Sequence, residues 1–138
     1  MKVEGECHCG SVAYEADIDP LMVGICHCSD CQALSASAFR TIAMVASDDF
    51  TLLRGRPKEY KKVADSGAQR IQAFCSECGS GLYSTSVDTG PKIFNLRVGT
   101  MRQRDKLIPQ FECWRQSALD WFPELDGTTK FERNPVFE

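Results

Sequence analysis

The sequence lacks any long hydrophobic run. Its longest uninterrupted apolar stretch is Ile42–Ala46, far below the ~20 residues that span a bilayer. It also lacks an excess of one charge sign. Sixteen Lys and Arg against nineteen Asp and Glu leave a net charge of −3, which recommends neither nucleic acid nor an anionic membrane as a partner. The opening Met1-Lys2-Val3-Glu4-Gly5-Glu6 contains no apolar segment of the secretory kind, so a cytoplasmic location is expected. No linker, low-complexity tract or charge block interrupts the 138 residues. That length suits a single domain, 1–138, whose core needs no disulfides. An apolar share of 43% and a charged share of 25% exclude a disordered chain.

Against these absences stand eight cysteines. In a reducing compartment thiols persist, and clustered cysteines then read as metal ligands. Seven fall in three clusters, Cys7-His8-Cys9, Cys26-His27-Cys28-Ser29-Asp30-Cys31 and Cys75-Ser76-Glu77-Cys78, while Cys113 stands alone. Sulfurs this close in sequence pair poorly with one another but can aim at one point, which favours zinc over disulfides. A closed structural zinc takes four protein ligands, and a reactive one takes three. The seven sulfurs divide accordingly: Cys7, Cys9, Cys75 and Cys78 for a structural ion, and Cys26, Cys28 and Cys31 for a second, so two zinc ions per chain are expected. A single four-cysteine site with spare thiols is the alternative. Cys7 and Cys9 would share one face of an extended strand. Cys75-x-x-Cys78-Gly79 has the form of a zinc knuckle. His8 and His27 would point away from the sulfurs, and Cys113 reads as a small buried hydrophobe.

Runs rich in β-branched and aromatic residues recur at the roughly 8–12-residue spacing of all-β folds. Strands are predicted over Val12–Ile18, Val23–Cys26, Phe39–Ala46, Phe50–Leu53, Glu59–Val63, Arg70–Phe74, Leu82–Val87, Ile93–Val98 and Gln110–Trp114. The punctuation between them is Asp48-Asp49, Gly55-Arg56-Pro57, Asp65-Ser66-Gly67, Asp88-Thr89-Gly90-Pro91 and Asp126-Gly127. One short helix is predicted where Ser29-Asp30-Cys31-Gln32 has the form of a capping box. It would place Cys31 in its first turn. A second turn is expected over Arg115–Leu119.

The three-sulfur set has its own chemistry. A zinc ion with three thiolates carries one net negative charge, which weakens it as a Lewis acid and disfavours hydrolysis. A soft fourth ligand suits it. An incoming thiol would lose its proton there and remain electron-rich enough to attack an electrophile. Cys26, Cys28 and Cys31 are therefore the candidate catalytic residues of a thiol-binding or thiol-transfer site.

The residues that carry this reading also carry a resemblance. Gly5-Glu6-Cys7-His8-Cys9-Gly10-Ser11-Val12-Ala13-Tyr14 resembles the opening of the glutathione-dependent formaldehyde-activating family, which includes relatives of centromere protein V. Cys26 to Gln32, with Ser35 and Phe39, resembles its second motif, and Phe74 to Leu82 its third. Phe111 to Trp121 and Asp126-Gly127 are similar to its weaker C-terminal pattern. The resemblance implies a single-domain, zinc-bound β-tent of twisted antiparallel sheets. It implies a structural zinc on Cys7, Cys9, Cys75 and Cys78 and a second zinc on Cys26, Cys28 and Cys31. It also implies a carbon–sulfur lyase activity in which glutathione bound at the second zinc attacks formaldehyde. Three positions depart from the pattern. Ala36 replaces a common glycine at the expected pocket floor, Glu112 stands where many relatives have histidine, and Asp120 stands where proline is usual. Glu112 reads as solvent-facing.

Glutathione bears two carboxylates, so its site calls for Arg or Lys. Arg54, Arg56, Lys58, Lys61 and Lys62 form one basic patch, and Arg97, Arg102, Arg104 and Lys106 another. Both read as solvated hairpin faces. Arg40 follows the central cluster and is the better candidate. Phe39, Trp114 and Trp121 read as core. Beside the enzyme reading stand two others: a non-catalytic zinc module, favoured if His27 or Cys113 fills the fourth position, and a redox or metal sensor in which Cys26–Cys31 releases zinc on oxidation.

Overall fold

The runs rich in β-branched and aromatic residues become strands, and which face of each is buried decides the architecture. In the computed structural model, which describes residues 1–64 and 66–137, eleven strands form. They are β1 (Lys2–Glu6), β2 (Ala13–Asp17), β3 (Val23–Cys26), β4 (Arg40–Ala46), β5 (Phe50–Arg54), β6 (Lys58–Val63), β7 (Gln69–Phe74), β8 (Gly81–Ser86), β9 (Ile93–Arg97), β10 (Phe111–Cys113) and β11 (Thr129–Lys130). A three-stranded sheet has the order β1-β2-β5, and an eight-stranded sheet has the order β11-β10-β3-β4-β9-β8-β7-β6. The all-β reading holds, and each predicted strand matches an observed one to within two residues at either end. Of the predicted turn Asp65-Ser66-Gly67, Asp65 lies outside the described residues, while Gly67 has φ of +87°.

Two strands had no counterpart in the sequence reading. β11 is only two residues long. In β1 the inward positions are Val3 and Gly5, so the apolar alternation is half silent. Gly5 is required because a Cβ there would lie 2.0 Å from Cζ of Tyr14. The sheets are antiparallel except around β10, which runs parallel to both β3 and β11. No short hairpin joins β10 to β3, so turn geometry does not dictate their relative direction.

The small sheet covers one face of the large one. Val3, Tyr14 and Ala16 pack there against Ala43, Val45, Ala73, Tyr83 and Leu96. Each large apolar side chain so buried contributes ~1.5–3 kcal/mol. The opposite face carries the helix α1 (Ser29–Ser35). Its cap is shifted from the predicted frame by one residue. Sγ of Cys28, not the Ser29 hydroxyl, accepts the N–H of Cys31 at 3.3 Å. Gln32 turns away from the cap and donates to the carbonyls of His27 and Ser117. The predicted turn after β10 is a 3-10 turn over Arg115–Ser117.

Candidate metal centres

The four-cysteine cluster forms where the small sheet meets the β7–β8 hairpin. β1 ends at Glu6, and the chain then turns: Gly10 donates to the Cys7 carbonyl at 3.1 Å with φ of +83°. Cys7 and Cys9 therefore meet across a turn, not along the extended strand expected from their spacing. Their sulfurs are 3.7 Å apart, and Cys9 and Cys75 are 3.8 Å apart. A tetrahedral cation with bonds near 2.3 Å has sulfur–sulfur edges of ~3.8 Å. All four sulfurs, Cys78 included, lie within 4.8 Å of one another. The knuckle closes through Gly79, which donates to the Cys75 carbonyl at 2.8 Å with φ of +80°.

Hydrogen-bond donors surround these sulfurs. Val12 N–H donates to Cys7 Sγ at 3.2 Å, and Glu77 N–H to Cys75 Sγ at 3.4 Å. Ser11 Oγ is 3.1 Å from both Cys9 and Cys75, and Ser80 Oγ is 3.2 Å from Cys78. The Ser80 hydroxyl and N–H, with the N–H of Cys9, hold the Cys78 thiol down to about 5. Such partners orient ligands and tune a metal. The sequence reading missed both serines as functional groups. A signal was present, since each follows the second cysteine of its cluster by two residues, in Cys9-x-Ser11 and Cys78-x-Ser80.

The three-cysteine cluster is built locally. Cys26 ends β3, Cys28 caps α1, and Cys31 lies in its first turn. Their sulfurs lie within 4.8 Å of one another. Cys26 and Cys31 are buried and Cys28 is half-buried, so solvent reaches the cluster on the Cys28 side. Without a cation the three thiols favour a single thiolate. Hydrogen bonds from Cys26 and Cys31 hold the Cys28 thiol down to about 2. Cys26 is pushed up, first by its hydrogen bond with Cys113, and Cys31 is pushed up by Cys26 and Cys28. A cluster that ionises so reluctantly as a unit is suited to a cation that neutralises it. Cys113, opposite Cys26 in the β3–β10 register, is buried as expected. It contacts Cys26 but does not join the three sulfurs that share one centre.

Several side chains differ from their sequence assignments. Glu112 is not solvent-facing: it is 0% exposed, and its carboxylate accepts from His27 Nε2 at 2.8 Å and from the Thr128 hydroxyl at 2.6 Å. Burial alone would raise its pKa, but these hydrogen bonds and the nearby Arg115 charge outweigh burial and lower it. His27 is committed to Glu112 and packs edge-on with Phe122 at 4.6 Å, with the tilted Phe39 ring 6.3 Å away, on the side of β3 away from the sulfurs. Trp121 is 68% exposed and not core. Ala36 is exposed and forms the C-cap of α1 with φ of +52°; it is not a pocket floor. Arg97 is 8% exposed, not part of a solvated patch with Arg102 and Arg104.

A model of the family described as glutathione-dependent formaldehyde-activating enzyme matches residues 2–117. The chain belongs to that family. All seven clustered cysteines fall inside the matched segment of this family member. Its fold is similar to that of a Rhodobacter sphaeroides protein solved by crystallography, with a TM-score of 0.57 and 19% sequence identity. That similarity covers 93% of this chain and 98% of the other. No curated protein matches the family member by sequence. Among its described residues, no helix is long and apolar enough to cross a membrane.

Proposed function

We propose that the three-cysteine cluster holds a zinc ion with one position open to an external thiol, and that the protein joins glutathione to formaldehyde as a carbon–sulfur lyase. The observation that carries this reading is the count of donors. Cys26, Cys28 and Cys31 converge, and no fourth His, Cys, Asp or Glu joins them among the described residues. In the same reading Cys7, Cys9, Cys75 and Cys78 hold a second zinc that is purely structural. A zinc ion at the open cluster would supply acidity to an incoming thiol and hold it as a thiolate.

The chain's own residues shape that encounter. Cys26 and Cys31 are shielded, so approach is restricted to the Cys28 side. The N–H of Cys31 already donates to Cys28 Sγ, which limits the electron density that this ligand passes on. In the net reaction a sulfur–carbon bond forms, the carbonyl π bond of formaldehyde opens, and the thiol proton ends on the resulting hydroxyl.

The test is calorimetric titration of glutathione into protein loaded with two zinc equivalents, beside a folded Cys28→Ser variant. Saturable binding that the variant loses supports the reading, and unchanged binding in the variant defeats it. One observation favours a second reading, a non-catalytic module or sensor: Cys113 offers a further sulfur against Cys26. X-ray absorption at the zinc edge separates the two readings. Sulfur coordination that is complete in Cys28-intact, thiol-free protein, and reduced by Cys113→Ala, favours the module.

A further inference from the structure

The face of the large sheet that carries α1 is apolar around Phe111, Ile42 and Met44 but polar over β9, β8 and β7, and the register shows how. Strand neighbours point the same way, and Cys26 pairs with Arg40, Ser84 with Asn95, and Gln72 with Ser84. Two residues along from Asn95 comes Arg97, and two before Gln72 comes Arg70. On β4 the residues opposite Arg97 and Asn95 are the apolar Ile42 and Met44, with Arg40 two positions before Ile42. The polar strip thus runs across β9, β8 and β7 and reaches Arg40, beside Cys26, through Gln72. The other face at these strands holds Ala43, Leu96, Tyr83 and Ala73 in the core.

The strip concentrates positive charge without partners. Arg40, Arg70 and Arg97 make no ion pair with any carboxylate among the described residues. Arg97 is buried; its guanidinium donates only to neutral oxygens, the Asn95 carbonyl at 3.0 Å and Oε1 of Gln72 at 2.9 Å, and Arg40 shares the Gln72 oxygen at 3.3 Å. Nε of Arg40 and Oδ1 of Asn95 are buried with no hydrogen-bond partner at all. Burial and the neighbouring Arg40 and Arg70 charges lower the Arg97 pKa to about 9, although the Cys31 and Cys26 sulfurs act the other way. Buried guanidinium groups are strongly disfavoured unless an anion compensates them.

Charge counting identifies what is missing. A divalent cation on three thiolates supplies one negative charge, and a fourth thiolate supplies a second. Three guanidinium groups exceed that by one. We infer that Arg40, Arg70 and Arg97, with Gln72, form an anion subsite that receives a carboxylate of the thiol bound at the neighbouring cluster. The guanidinium fork matches a carboxylate bidentately, and Asn95 Oδ1 offers an acceptor to an N–H beside it. The substrate class is thus a thiol that bears a carboxylate. This inference rests on the proposed thiol-binding reading.

The experiment uses zinc-loaded protein and three probes: glutathione, S-methylglutathione, which keeps both carboxylates but blocks the sulfur, and 2-mercaptoethanol, which has no carboxylate. Arg97→Gln and, in a less buried position, Arg40→Gln are compared with Arg102→Gln on the exposed patch, with zinc content and circular dichroism as controls of folding. The expected result is a loss of about tenfold to a hundredfold in glutathione affinity for either strip variant, with 2-mercaptoethanol affinity and zinc content unchanged and Arg102→Gln without effect. If 2-mercaptoethanol and glutathione bind equally well to the wild type, or the strip variants weaken both probes alike, the subsite is overturned. Binding of S-methylglutathione that needs Arg97 but not Cys28 would uphold the subsite while removing the thiol–metal reading. Absence of arginine-dependent binding for every carboxylate-bearing probe overturns the subsite.

Discussion

The chain contains the pattern Gly-x-Cys-His-Cys twice, at Gly5–Cys9 and at Gly24–Cys28, and the two copies have different fates. Each glycine clears room for an aromatic ring, Tyr14 beside Gly5 and Phe111 beside Gly24. In the first copy the strand stops before the cysteines, His8 is exposed, and two more sulfurs arrive from the distant β7–β8 hairpin. In the second the strand runs through Cys26, His27 is buried on Glu112, and the third sulfur comes from the helix that follows directly. The local pattern is the same, but what the rest of the fold brings opposite decides whether the cluster has four sulfurs or three.

This difference has an energetic side. The four-sulfur set spans Cys7 to Cys78, so an unfolded chain cannot assemble it cheaply. The three-sulfur set lies within one short segment and can bind a cation before folding. Binding to the unfolded state reduces stabilisation of the folded one. The largest effect is accordingly expected for Cys75→Ser. Structural zinc contributes ~10–16 kcal/mol of apparent binding free energy, against a total stability of ~5–15 kcal/mol for an ordinary domain. The variant should fail to give a cooperative thermal transition by circular dichroism. Cys28→Ser should keep its transition and lose only the second metal equivalent, measured by elemental analysis. A Cys28→Ser protein that unfolds as completely as Cys75→Ser would break the comparison.

Next comes the buried His27–Glu112 pair, which exists only beside the three-sulfur cluster. Glu112→Ala removes one partner of a buried pair and should lower stability by about 3–5 kcal/mol in denaturant titration. Its pH dependence follows from the lowered carboxyl pKa. The unfolded state binds the proton more readily, so the stabilisation is complete above the ordinary glutamate range and is lost as pH falls through the lower folded value. The variant should therefore show a flatter stability profile in acid than the wild type.

Much of this contrast was legible in the residues, and the illegible parts share a cause. Cysteine spacing pointed to both clusters because the ligands of each knuckle are near neighbours in sequence. The strands were legible because β-branched and aromatic enrichment, and the turn residues between the runs, are local signals. Glu112 and Arg97 were misread because their burial depends on long-range partners, His27 across β3–β10 and Gln72 on β7, with β8 between it and Arg97. A charged residue in a strand carries no local mark of what faces it. The cap of α1 was misplaced because a cysteine sulfur took the role that the sequence rule gives to serine.

Paired glycine variants sharpen the comparison further. A Cβ at Gly5 would meet Tyr14, whose hydroxyl is pinned to Thr100 at 2.7 Å. One at Gly24 would lie 2.3 Å from the Phe111 ring on the short strand β10. Each alanine should lower stability by about 1–3 kcal/mol. Gly24→Ala should also perturb β10, read as faster amide exchange at Phe111–Cys113, with the four-sulfur metal retained. The smallest effect is expected at the helix end. Ala36 holds a left-handed conformation that glycine adopts without strain, so Ala36→Gly should raise stability by about 0.5–1 kcal/mol in the same denaturant assay.

The parallel docking of β10 on β3 sets an order of events during synthesis. As the polypeptide emerges from the ribosome, Cys26, Cys28 and Cys31 appear early, Cys75 and Cys78 complete the first set midway, and Phe111–Cys113 arrive near the end. The early trio is thus exposed to whatever ions are at hand well before its wall is built. Any ion taken up by the trio at that stage would be chosen before the last strand closes over it.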